Sequence, residues 1–227
     1  MINQKKERDV FKKIGKYGSI GGTGEGQSMN EKFYSLKKEK QDKMLNGAMQ
    51  IFALYGYRHA STDEMVRVSG VSKGLWFHYF ESKAGLYAFV ASYGLKYAMI
   101  ELSMRTVRPG ADYFALRYEV EEGKMRMLDK YPYLPLFLDS IAREDDEEVV
   151  EMIKEPREKY AEQLQQLLLQ ADYAPLKAHD DYLLLIDMLN YTLEALLANG
   201  YRSPVFSKER YLTEVQKHIQ ALKKLIA

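Results

Sequence analysis

The side chains best suited to binding a polyanion lie between residues 72 and 83, in the stretch S-K-G-L-W-F-H-Y-F-E-S-K. Lys73 can pair with a phosphate or with a guanine edge, and Gly74 allows a backbone to approach closely. His78 and Tyr79 can donate hydrogen bonds to phosphates or bases. If Ser72 begins a helix, the free N–H groups of its first turn also attract phosphate. This combination is typical of a helix that contacts DNA.

A second short helix and a tight turn precede that stretch. Ser61 and Glu64 have the S-x-x-E spacing of a capping box, which predicts a helix start. Gly70 can adopt the left-handed conformation of a helix C-terminus, so we expect the helix to end there. Val71 then points into the core, and Ser72 caps the next helix. Two short helices joined by a glycine-containing turn predict a DNA-binding helix-turn-helix.

This part of the chain closely resembles the signature of TetR-type transcriptional regulators, through the block V-S-G-V-S-K-G-L-W-F-H-Y-F-E-S-K. The resemblance extends over about residues 36–90, roughly a quarter of the chain. It implies an all-α fold, in which an N-terminal three-helix head carries the helix-turn-helix. A larger C-terminal helical domain would bind an effector and form a dimer. The implied function is transcriptional regulation by a repressor, and not an enzyme activity.

The resemblance also implies which residues contact DNA. The candidates are Ser61, Thr62, Ser72, Lys73, Gly74, Leu75, Phe77, His78, Tyr79 and Lys83. Two of them depart from the common pattern, since Leu75 and Phe77 stand where hydroxyl-bearing residues are frequent. Leu75 either contacts a thymine methyl group or packs in the core with Trp76 and Phe80. Base recognition therefore depends on few groups.

Whole-chain properties agree with a small basic head on an acidic body. The net charge of the 227 residues is +1, but residues 1–28 carry +3, residues 37–96 carry +4 and residues 97–227 carry −6. The absence of cysteine excludes a disulfide framework and a thiolate zinc site. Neither a signal-peptide pattern nor a membrane-spanning apolar run is present. We expect a soluble, cytoplasmic protein with no cofactor.

Hydrophobic periodicity predicts about nine or ten helices and no sheet. Besides the helix-turn-helix pair, the predicted helices cover about residues 37–55, 83–108, 111–130, 134–143, 145–171, 178–198 and 207–225. We expect Gly56, and the pair Asn199 and Gly200, to end helices. Pro156 either kinks its helix or begins the second part of it. Two stripes of residues at helical spacing are predicted to be buried. The stripe in the helix at 83–108 consists of Leu86, Val90, Tyr93, Tyr97, Ile100 and Met104. The stripe in the helix at 207–225 consists of Tyr211, Val215, His218, Leu222 and Leu225.

Three segments of different function follow from this pattern. Residues 1–30 form a flexible, basic, glycine-rich extension, which is either an arm that follows DNA or a plain leader ahead of a start at Met29. Residues 31–82 form the helix-turn-helix domain. Residues 83–227 form the effector-binding and dimerisation domain.

The helix at 178–198 is apolar on nearly every side. It is either central within one subunit, or core on one side and subunit interface on the other. The resemblance implies that the last two helices form a four-helix dimer interface. A homodimer would bind double-stranded DNA at a palindromic operator.

An effector site is predicted in the body, where aromatic residues and methionines are frequent between residues 113 and 137. Ordinary core packing is the alternative for each residue. The candidate ligand-binding residues are Tyr113, Phe114, Tyr118, Tyr131, Tyr133, Phe137, Asp187 and Tyr191. Asp187 could pair with a cationic effector, or could face a partner subunit or solvent.

Two other functions stay open at this point. One is a DNA-binding regulator controlled by a protein partner instead of a small molecule. The other is a helical enzyme or ligand carrier with a degenerate helix-turn-helix. The acidic run from Glu144 to Glu148 does not favour a metal site, because acids in the first turn of a helix are stabilised by its dipole.

Overall fold

The computed structural model describes residues 32–104 and 110–225, and within these residues it contains helices and no strand. A helical turn at residues 32–35 precedes ten helices in the described ranges. They are α1 (Lys38–His59), α2 (Thr62–Ser69), α3 (Lys73–Phe80), α4 (Lys83–Ser103), α5 (Tyr113–Met127), α6 (Leu134–Arg143), α7 (Glu147–Leu168), α8 (Ala174–Lys177), α9 (Tyr182–Tyr201) and α10 (Lys208–Leu225). The predicted all-α fold is confirmed. No described helix is long and apolar enough to cross a membrane.

The first of two packing units contains the described residues up to Ile100 together with Tyr131–Tyr160. Here α1 contacts both α2 and α6. Phe52 of α1 stacks on Phe137 of α6 at 6.1 Å between ring centroids. Gly47 lets α2 approach α1 closely, because a Cβ atom at this position would lie 2.9 Å from the Cβ of Ser69. A residue with a side chain would therefore push α2 away from α1.

The second packing unit contains the described residues of Glu101–Lys130 and Ala161–Ala227. In this unit α10 contacts both α9 and α5. The buried side of α9 is formed by Leu189, Leu193 and Leu197, which recur every four residues. Its other side is exposed, so α9 is not buried all round within one chain.

The grouping of residues by packing differs from the predicted grouping by function. Residues 131–160 pack with the N-terminal helices, so the first unit extends beyond the predicted boundary at 82/83. The predicted boundary separates a DNA-binding segment from an effector-binding segment, and this division of function stays a prediction. The predicted extension over residues 1–30 lies outside the described residues.

Of the two predicted helix ends, one is correct in its geometry and one is wrong. Gly56 adopts φ 67° and ψ 179°, which interrupts the helix where predicted, and helical residues then resume up to His59. Asn199 and Gly200 lie inside α9, which runs on to Tyr201. Elsewhere, α8 and a break replace the predicted start of a helix at residue 178. Pro156 lies inside α7 without ending it.

The predicted buried stripes are correct only in part. On α4, Leu86, Val90 and Tyr93 are buried, whereas Met104 is 54% exposed at the C-terminal end. On α10, His218 and Leu225 are exposed, and Ile219 is buried in place of His218. Helical spacing alone therefore does not decide which residues are buried.

A buried ionic cluster connects α5 to α10 inside the second unit. Glu121 is fully buried, and its Oε1 atom lies 3.2 Å from both Arg117 Nη1 and Lys124 Nζ. The hydroxyl of Tyr211 donates a hydrogen bond of 2.7 Å to the other carboxylate oxygen. Burial acts to raise the pKa of Glu121, but the two cations and the hydrogen bonds outweigh it and hold the pKa below its ordinary value.

We predict that Glu121→Gln lowers the free energy of unfolding by about 3 kcal/mol at neutral pH, because it leaves two buried cations without their counter-charge. The folded-state pKa is lowered, so this contribution is complete above the ordinary value of 4.5 and is lost as the pH falls through the lowered value. Urea unfolding near neutral and acidic pH measures both effects. Glu122→Gln, at the half-buried neighbour, is the control. Equal stability of the wild type and Glu121→Gln at neutral pH would contradict the role of the cluster.

Candidate nucleic-acid interface

The turn between α2 and α3 has the predicted geometry but not the predicted side-chain caps. Gly70 has φ 66°, in the left-handed region, and its N–H donates to the carbonyl of Val66. Ser61 and Ser72 precede the two helices, but neither hydroxyl makes a capping hydrogen bond. The predicted capping box is therefore wrong in its hydrogen bonds. The Ser61 and Ser72 carbonyls accept the first helical N–H groups, so both helices begin where expected.

Helix α3 is fixed by a buried aromatic side. Trp76, Tyr79 and Phe80 are each less than 10% exposed. The indole N–H of Trp76 donates to the carbonyl of Val71 at 3.2 Å, which ties the helix to the turn before it. Phe33 packs against Phe80 with ring centroids 5.7 Å apart. Phe33 precedes α1 and was not identified from the sequence, because a single aromatic residue outside a helical pattern gives no periodic signal.

The opposite side of α3 is open to solvent. Lys73, Gly74, Phe77 and His78 are exposed there, and Leu75 is half-buried. The structure thus brings the central candidates for DNA contact onto one surface. A short helix with a fixed apolar side and an exposed side bearing a cation and hydrogen-bond donors can enter a DNA groove.

Tyr79 corrects the sequence interpretation. We expected it to face outward at least in part, but it is only 9% exposed. Its ring lies 4.9 Å from the ring of His78 and 6.3 Å from that of Phe33. Tyr79→Ala would therefore remove core packing, so it cannot serve as a test of DNA contact alone.

The remaining candidates lie at the edges of this surface. Ser61 and Thr62 are half-buried at the start of α2, and Ser72 is exposed. The ammonium of Lys83 donates to the carbonyl of Arg58 at 3.1 Å and lies 4.6 Å from the centre of the Tyr57 ring. This contact places Lys83 against the end of α1.

Ser82 caps α4. Its hydroxyl accepts the N–H of Gly85 at 3.0 Å. The residue before it, Glu81, has φ 54°, a conformation that costs a residue with a side chain about 1 kcal/mol or more. This sharp reversal of the backbone ends α3 and allows α4 to begin two residues later.

The acidic run after α6 binds the C-terminal end of α1. Glu144 accepts the backbone N–H of Tyr57 at 3.1 Å, and the Tyr57 hydroxyl donates to Glu148 at 3.2 Å. Burial, together with the charge of Glu148, raises the pKa of the Tyr57 phenol. Arg58 pairs with Asp146 at 3.1 Å. These acids therefore hold the end of α1 in place. In the described part of the chain, no group of three or more histidine or acidic side chains is placed to hold a metal ion.

The candidate effector residues are not gathered at one place. Tyr131 and Phe137 are fully buried in the first packing unit, where the Tyr131 hydroxyl lies 2.6 Å from that of Tyr93. Tyr133 is half-buried in the same unit. Asp187 and Tyr191 are exposed on α9 in the second unit.

The other three candidates lie beside two clefts of the second unit. Phe114 and Tyr118 line a cleft of about 320 Å³ between α5 and α10. Tyr113 and Phe114 line a second cleft of about 240 Å³ near α8. Lys223 belongs to both clefts, and its ammonium lies 5.7 Å from the centre of the Phe114 ring.

Comparison with known proteins identifies the domain that carries α2 and α3. Residues 44–90 match the family described as "Bacterial regulatory proteins, tetR family". No curated protein matches the sequence significantly.

Two solved structures have a similar fold. The fatty acid degradation regulator FadR from Bacillus halodurans is 18% identical with a TM-score of 0.50, over 80% of this chain and 97% of that one. A TetR family transcriptional regulator from Chloroflexus aurantiacus J-10-FL is 19% identical with a TM-score of 0.55, over 86% of this chain and 92% of that one. At these identities the likeness supports the fold alone.

Residues 44–90 thus carry the helix-turn-helix domain of the TetR family. The resemblance seen in the sequence is confirmed. Regulators of this family bind DNA and typically act as dimers.

Proposed function

We propose that this protein is a ligand-responsive repressor that binds a palindromic operator as a homodimer. The observation that carries the proposal is the exposed side of α3, where Lys73, Gly74, Phe77 and His78 lie on a helix fixed by its buried aromatic side. These residues can make the contacts with phosphates and base edges that a helix in a DNA groove requires. Lys73 suits a phosphate or a guanine edge, Gly74 suits close backbone approach, and His78 can donate a hydrogen bond.

The symmetry of the operator follows from the symmetry of the dimer. Two copies related by a two-fold axis would place their α3 helices in successive major grooves, roughly 34–36 Å apart or somewhat more. Each helix would then read one half of a palindrome. The ten residues proposed from the sequence keep this role, except that Tyr79 acts chiefly as core.

The dimer interface proposed here is the exposed side of α9 together with α10. Leu184, Met188 and Tyr191 recur at the spacing of one helix face and are 57%, 45% and 72% exposed. Leu183, next to them, is 62% exposed. An apolar surface of this kind is costly to leave in water, and a second copy of the same helix would bury it.

The effector site proposed here is the cleft between α5 and α10. Its volume of about 320 Å³ lies at the lower end of small-molecule sites. Phe114 and Ile219 supply apolar surface, while Tyr118 and Lys223 supply hydrogen-bond donors. A ligand bound there would favour one conformation of the dimer. DNA would be released if the distance between the two α3 helices in that conformation does not match the spacing of successive major grooves.

We predict that Lys73→Ala weakens binding to duplex DNA and makes the dependence of log K on log salt shallower, because one cation is lost from the exposed side of α3. Fluorescence anisotropy over a salt series measures both quantities. Lys154→Ala, at an exposed lysine of α7, is the control and should leave both unchanged. An unaltered affinity and slope for Lys73→Ala would exclude this residue from the interface. Circular dichroism confirms that both variants are folded.

We predict that Leu184→Glu converts the dimer into a monomer, since two carboxylates would face each other across an apolar interface. Sedimentation equilibrium at micromolar concentration measures the mass. Leu169→Glu makes the same change at an exposed leucine of the same packing unit, outside α9, and should leave a dimer. A monomeric wild type, or a dimeric Leu184→Glu variant, would contradict the proposed interface.

We predict that a compound that binds the cleft raises the melting temperature of the wild type, because a ligand that binds only the folded state stabilises it. A small-molecule library screened by thermal unfolding would identify such compounds. Tyr118→Ala should abolish the shift, while Tyr133→Ala, outside the cleft, should retain it. A hit that acts equally on both variants would place the effector elsewhere.

A further inference from the structure

The lysine at the start of α3 already has an anionic partner. The ammonium of Lys73 lies 2.7 Å from a carboxylate oxygen of Asp63, in the first turn of α2. Both side chains are largely exposed, at 52% and 74%, so the pair lies on the surface and not in the core. The sequence interpretation did not identify Asp63, because the two residues are ten positions apart and meet only through the turn.

The carboxylate of Asp63 hinders a contact between Lys73 and a phosphate, but not a contact between Lys73 and a guanine edge. A phosphate that approaches Lys73 also approaches Asp63, so it must either replace the carboxylate or lie against a like charge. A guanine edge offers neutral acceptors, N7 and O6, which are not repelled in this way. An ammonium has three N–H donors, so it can keep Asp63 on one of them and donate to guanine with the others.

We propose that Asp63 is a specificity-determining residue, which competes with DNA phosphates for Lys73 and thereby directs this lysine towards base edges. The inference rests on the proposed function, because it needs α3 to face DNA. Non-specific binding consists almost entirely of phosphate contacts, so the loss of one such contact weakens it strongly. Specific binding retains the base contacts. Asp63 therefore widens the gap between the operator and other sequences.

The chain offers a matched control on the same helix. Glu64, the next residue, pairs with Arg67 of the same helix, at 3.7 Å between the two charged groups. Glu64→Gln and Asp63→Asn remove the same charge from adjacent positions and preserve side-chain shape. A difference between them therefore reports the contact with Lys73 and not the net charge of the head.

The experiment measures the affinity of the full chain for two duplexes over a salt series. One duplex has mixed, non-specific sequence, and the other is the tightest binder that selection from random sequences returns. For Asp63→Asn we expect about fivefold tighter binding to the non-specific duplex and a salt slope steeper by about one. The affinity for the selected duplex should rise less, so the ratio of the specific to the non-specific affinity falls. In a Lys73→Ala background, Asp63→Asn should change neither the affinity for the non-specific duplex nor the salt slope.

The outcomes separate this inference from the function on which it rests. If the wild type shows no salt-dependent binding to any duplex, the proposed function fails and the role of Asp63 fails with it. If the wild type binds but Asp63→Asn leaves non-specific affinity unchanged, only the role of Asp63 is overturned. Equal effects of Glu64→Gln and Asp63→Asn would overturn it as well, since net charge would then suffice.

Discussion

The position of the proposed DNA-reading surface depends on the buried indole of Trp76. Its N–H donates to the Val71 carbonyl, so the side chain that fills the core of α3 also ties this helix to the turn before it. Phe33 and Phe80 complete the packing beneath it. With that side buried, the period of the helix places Lys73, Phe77 and His78 on the outside. The packing of the apolar side of α3 thus determines which of its side chains are exposed.

Charge organises the rest of this surface. Lys73 pairs with Asp63 of α2, and Arg58 pairs with Asp146 at the start of α7. Surface pairs of this kind contribute little to stability, because water screens their charges. Their importance for function is that a cation already paired in the free protein presents less net charge to phosphate. In the proposed function, the affinity for DNA would then depend more on base contacts and on the symmetry of the two heads.

The sequence predicts the fold well where the signal is local. The glycine at position 70 with its positive φ, the helical period of α1 and the apolar core of α3 are all encoded within a few residues. The prediction fails where distant parts of the chain decide the result. Tyr79, for example, packs against Phe33, which lies in a distant part of the chain. Candidate ligand residues chosen by composition alone are divided between two packing units, because composition carries no information about contacts.

Selection of bound sequences from random duplexes tests the central claim most directly. A symmetric dimer that presents two α3 helices should enrich a palindrome, with half-site centres separated by about one turn of DNA or somewhat more. Substitution of Lys73 should alter or weaken the enriched half-sites. Enrichment of an asymmetric sequence, or the absence of any enriched sequence from a folded dimer, would contradict the account.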